Sequence, residues 1–60
     1  MRIKKGDHFK NNYSNKTYEV VGRWNGDIIL SAIELEDEEC LIYTTGEIEE
    51  FIVEGRLTKE

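Results

Sequence analysis

The dipeptide Asn25-Gly26, set between two runs of β-branched and aromatic residues, constrains this chain more than any other feature. Both central positions of a type I′ turn need positive φ, which Asn and Gly adopt at least cost, and that turn joins two antiparallel strands. Thr17–Trp24 (TYEVVGRW) leads into it, with Tyr18, Val20 and Trp24 on alternate positions. Asp27–Leu35 (DIILSAIEL) leads out as the partner strand. There Ile29, Ile33 and Leu35 share one parity, and Ile28, Leu30 and Ala32 the other. Two partly apolar faces suit a small barrel, a strand covered on both sides, or a bulge.

Turn signals cut the rest into short pieces. Asp7–Lys10 is expected as a first strand after Gly6, followed by a loop at Asn11–Lys16 (NNYSNK), where Asn and Ser bond their own backbone. Glu36-Asp37-Glu38-Glu39 is a charged turn before a fourth strand at Cys40–Thr44. The period then changes. Thr44-Thr45-Gly46-Glu47 fits a capping box, Ile48, Phe51 and Ile52 follow at helical spacing, and Gly55 stands where a helix ends. A short amphipathic helix over Gly46–Glu54 is expected, with Val53 on its far side and Arg56-Leu57-Thr58 as a final strand or tail.

These elements make the chain mostly β, a small half-open barrel of four to five short antiparallel strands with one short C-terminal helix, in a single domain over residues 1–60. The pattern Lys5-Gly6-Asp7-x-Phe9, the strand Tyr18-Glu19-Val20-Val21 and the closing Glu47-Ile48-Glu49-Glu50-Phe51-Ile52-x-Glu54-Gly55-Arg56-Leu57 resemble small SH3-like barrel proteins. Such proteins are common as accessory genes of phages and mobile elements in Gram-positive bacteria. The resemblance implies the SH3-like fold and carries over no functional residue.

A domain of this size hides only about 60% of the surface its unfolded chain exposes, and scaffolds this small often rely on disulfides, metals or self-association. Cys40 is the only cysteine, so no intrachain disulfide forms, and with His8 it makes too small a set for a zinc site. Packing must hold the core, alone or with self-association. No apolar run approaches the roughly 18 residues of a membrane span, and the N-terminus lacks the apolar stretch of a signal peptide, so a reduced cytoplasmic setting without membrane contact is expected.

Catalysis is not expected. Cys40, within the apolar Cys40-Leu41-Ile42-Tyr43, reads as a small buried hydrophobe, and His8 as a partly exposed strand residue without a second ligand. The glycines are isolated and build no phosphate cradle. Neither cofactor nor metal is called for: the acidic run lacks the alternation and central Gly of a calcium loop.

Charge is divided along the chain. Residues 1–26 carry +4 and residues 27–60 carry −9, which together make the net −5. Such a dipole concerns partners and steering more than fold. The leading expectation is a non-enzymatic protein-interaction module, an adaptor or inhibitor of an unidentified protein partner. Its contact surface is Glu36, Asp37, Glu38, Glu39, Glu49 and Glu50, with Trp24 either capping the core or anchoring the interface. One alternative is a single-stranded or duplex nucleic-acid binder using Lys4, Lys5, Lys10, Lys16 and Arg23 with the nearby aromatic residues. The other is a charge-driven homodimer or larger homo-oligomer, basic patch to acidic patch.

Overall fold

The computed structural model describes residues 2–34 and 39–60. The Asn25-Gly26 turn forms as its chemistry requires, with φ of 51° and 86°, between strands β2 (Thr17–Trp24) and β3 (Asp27–Ala32). β1 (His8–Asn11) pairs antiparallel with β2, and β4 (Cys40–Tyr43) with β3. After helix α1 (Thr45–Val53), β5 (Leu57–Lys59) returns to pair with β1. The sheet order is therefore β4-β3-β2-β1-β5, all antiparallel. With the helix between β4 and β5, this is the connectivity of an SH3-like half-open barrel. Among the described residues, β4 and β5 are the two unpaired edges of the sheet.

The concave face holds the core. Phe9, Tyr18, Val20, Ile28 and Leu30 are buried on it, joined by Ile3 from the N-terminal arm, Ile48 from α1 and Leu57 from β5. Burying one such side chain contributes roughly 1.5–3 kcal/mol, so a set this small makes every member matter. Partly buried Leu41, Tyr43, Phe51 and Ile52 pack around it.

The helix begins where its capping chemistry places it. Thr44 Oγ1 accepts from the Glu47 amide at 3.0 Å, and Glu47 Oε1 accepts from the Thr44 amide at 2.9 Å, a complete capping box. Gly55, at φ 79°, ends it. Ile48 faces the core, while Val53 is 87% exposed on the far side, as its position on the wheel requires.

Two sequence expectations are corrected. The pairing of β2 with β3 shifts between Val20 and Gly22, so Val21 is an extra, exposed residue, a β-bulge. A bulge reverses parity beyond it. Arg23 now lies opposite buried Ile28, and Trp24 pairs with Asp27 on the convex face, 67% exposed. Strict alternation had put Trp24 with Tyr18 and Val20. Cys40, in turn, is exposed rather than buried. It lies opposite Ser31 and shares the convex face with Ile42, because Leu41 and Tyr43 take the concave positions of β4. The boundaries expected for β1, β4, α1 and β5 are off by one residue. β3 ends at Ala32, three residues short of the Leu35 expected, with Ile33 and Glu34 already outside the strand; Leu35 itself lies outside the described residues.

Candidate functional site: an aromatic cleft between the sheet edges

A cleft of about 240 Å³ opens between the two unpaired edges. Tyr18 and Leu30 form its floor on the concave face, Leu41 and Tyr43 of β4 one wall, and Leu57 with Arg56 the other. Phe51 of α1 closes one end, its ring edge-on to Tyr43 with centroids 5.0 Å apart. Tyr13, 72% exposed in the β1–β2 loop, overhangs the cleft beside Asn11. The Arg56 guanidinium packs 5.4 Å from the Phe51 ring centre and 6.0 Å from that of Tyr13. Both contacts are cation–π distances.

Two adjacent asparagines build this arrangement. Asn11 Oδ1 accepts from the amides of Tyr13 and Ser14 at 2.9 and 3.2 Å, an Asx turn that fixes the loop's course. Asn15, at φ 63°, completes the reversal. Asn12 Nδ2 donates to the Gly55 carbonyl at 3.0 Å and to Thr58 Oγ1 at 2.8 Å, and the Asn12 amide donates to the Arg56 carbonyl at 2.9 Å. The loop carrying Tyr13 is thus tied to the turn carrying Arg56. Chemically, the cleft offers aromatic walls, an open mouth and one cation, Arg56, whose guanidinium also lies 3.9 Å from the Glu54 carboxylate.

The residues singled out in sequence are placed as follows. Glu36, Asp37 and Glu38 lie outside the described residues. Glu39 accepts from the Tyr18 hydroxyl at 3.3 Å and pairs with Lys16 at 3.5 Å, beside the cleft floor. On α1, Glu50 is exposed and Glu49 half-buried. Trp24 stands on the convex face at the far side of the sheet from the cleft floor. Of the basic set, Lys4 joins Arg2 and Lys59 around a shallow basic depression, and Lys5 is exposed nearby in sequence. The others are dispersed. Lys10 lies on the convex face of β1 between Thr17 and Thr58, Lys16 is paired with Glu39, and the Arg23 guanidinium donates to the Ile3 carbonyl. His8 is half-buried, 3.6 Å from Glu19 across the β1–β2 pair.

Sequence reasoning missed Tyr13, Asn12, Tyr43, Phe51 and Arg56 as a group. The Asn-Asn-Tyr run was readable as a loop. Its junction with Gly55 and Thr58 spans more than forty residues and has no local signature.

The fold and the cleft together define a small, mostly β domain of five antiparallel strands and one short helix, with a recessed aromatic cleft. Comparison with protein-family models, curated proteins and solved structures returns no match. No described helix is long and apolar enough to cross a membrane, and no group of three or more described His, Cys, Asp or Glu residues is placed to share a metal ion.

Proposed function

We propose that this protein is a non-enzymatic interaction module, an adaptor or inhibitor that receives part of a partner protein in the aromatic cleft. The observation that carries the reading is the cleft itself, with exposed Tyr13 and Arg56 held over buried Tyr18 and half-buried Tyr43 and Phe51 by the Asn12 hydrogen bonds. Tyr and Arg are the residue types enriched in protein interfaces and among their dominant contacts. The volume, about 240 Å³, is below the roughly 300–1,000 Å³ of pockets that enclose a small-molecule ligand, and it matches one or two partner side chains. The acidic surplus of residues 27–60, with Glu39 bonded to Tyr18 of the cleft floor, would steer a basic partner and speed encounter.

Selection of a displayed peptide library against the immobilised protein tests this reading. Selected peptides should lose at least tenfold in affinity when Tyr13→Ala and Arg56→Ala are combined. Peptides that bind the double variant as well as the parent would displace the cleft from its role.

The grouping of Arg2, Lys4 and Lys59 favours a second reading, nucleic-acid binding through phosphate contacts. Titration with a mixed single-stranded oligonucleotide at low salt separates the two. A steep salt slope supports the basic depression, whereas a flat trace leaves the cleft as the working surface.

A further inference from the structure

The free edge of β4 lies along one wall of the cleft, and its backbone has bonding capacity facing outward. The Ala32 amide bonds the Glu39 carbonyl, which makes Ala32 and Glu39 a hydrogen-bonded pair of the antiparallel ladder. Alternation then makes Leu30–Leu41 and Ile28–Tyr43 bonded pairs, and leaves the N–H and C=O groups of Cys40 and Ile42 directed away from β3. The strand carries none of the lysine, proline or bulge devices that guard sheet edges, and Ile42 is 57% exposed.

We propose that β4 accepts an extended, basic segment of a partner protein as an added strand. This rests on the cleft being the partner site, and names how the partner enters it. Side chains directly opposite each other in a strand pair share a face. Partner residues opposite Leu41 and Tyr43 therefore point into the aromatic cleft, and those opposite Cys40 and Ile42 lie on the convex face. Backbone bonds supply affinity, and the cleft selects one side chain, the usual division in strand addition.

Charge fixes the occupant. Between Arg23 and Arg56 the chain contains no Lys or Arg, and ten of its thirteen acidic residues fall in that interval. β4 sits within it, preceded in sequence by Glu36-Asp37-Glu38-Glu39 and followed by Glu47, Glu49 and Glu50. A second copy of β4 would bring acidic flank against acidic flank in either orientation. A segment with an apolar centre and Lys or Arg at both ends meets opposite charge at both ends.

The test uses the synthetic peptide Lys-Lys-Val-Tyr-Val-Lys-Lys with blocked termini, its tyrosine aimed at the cleft and its valines opposite Cys40 and Ile42. Binding should slow hydrogen exchange at the Cys40 and Ile42 amides. N-methylation of both valines should weaken binding at least tenfold, and N-methylation of the tyrosine less than threefold. Ile42→Lys should weaken binding by a similar tenfold while the circular dichroism spectrum is kept. Equal affinity whichever amide is methylated, with binding still abolished by Tyr13→Ala and Arg56→Ala together, overturns strand addition and leaves the cleft reading standing. Absence of binding at millimolar peptide overturns the proposed occupant. Protection of Cys40 and Ile42 that appears without peptide and grows with protein concentration makes a second copy the occupant and overturns it equally.

Discussion

Phe9 and Trp24 are both large aromatic residues in strands, and the fold uses them in opposite ways. Phe9 is fully buried beneath β1, and Trp24 stands on the convex face beyond the Val21 bulge. Phe9→Ala should cost about 3–5 kcal/mol through lost burial and the cavity left behind. A domain of this size has a total stability of only about 3–9 kcal/mol, so the variant should be largely unfolded at room temperature. Trp24→Ala should stay within about 0.5 kcal/mol of the parent, as for exposed positions without special contacts. Urea unfolding followed by circular dichroism measures both, and a Trp24 variant as damaged as the Phe9 variant would contradict the face assigned to Trp24. The contrast also shows where sequence reading stops. Phe9 stands in the first strand expected from the sequence, Asp7–Lys10, where no bulge disturbs the alternation. The face of Trp24 was not legible, because a single extra residue reverses parity and nothing at Val21 itself signals that insertion.

The helix illustrates the reverse case. Its start was legible because the capping box is a contract among four consecutive residues, and Thr44 and Glu47 meet it with two hydrogen bonds. Removing the side-chain acceptor with Thr44→Ala should cost about 1 kcal/mol, within the usual 0.5–2 kcal/mol for a lost N-cap. Adding Glu47→Ala should cost less than the sum of the single variants, since both belong to one motif. A double-mutant cycle in denaturant checks the coupling, and strict additivity would mean that the two bonds act separately. The hairpin was legible for the same reason, since Asn25 and Gly26 adopt positive φ through their own chemistry. The cleft was not. Its walls come from the β1–β2 loop, β4, the helix and β5, and only the sheet order brings Tyr13 to Arg56.

Across the whole molecule, charge is the unbalanced quantity. The described ion pairs Lys16–Glu39, Lys59–Asp7 and Arg56–Glu54, joined by His8–Glu19 when the imidazole is protonated, lie between 3.5 and 3.9 Å and, Asp7 apart, keep 40–50% of their side-chain surface in solvent, so each contributes little. The net −5 acts on every part of a chain this short. Screening it should therefore stabilise the fold. Raising salt from about 20 to 200 mM shortens the screening length to below roughly 10 Å and should lift the melting temperature by about 2–4 °C, some 0.5 kcal/mol for a domain of this size. A fall over the same range would mean that the ion pairs outweigh the repulsion. No disulfide contributes to this balance, because Cys40 is free and exposed.

The Val21 bulge divides β2 into two territories. Tyr18 and Val20 answer to the interior, whereas Gly22 and Trp24 answer to the solvent, and one unpaired residue is the border between them. Losing that residue would shorten β2 and leave both territories in place, because Gly22, Arg23 and Trp24 already pair in regular alternation with Ile29, Ile28 and Asp27 back from the Asn25-Gly26 turn. Straightening the bulge with Val21 kept in the ladder is the change that would swing Trp24 inward to the side now held by Arg23, and send the Arg23 guanidinium from the Ile3 carbonyl to open water. A deletion of one valine would thus keep the indole and the guanidinium on their own sides of the sheet.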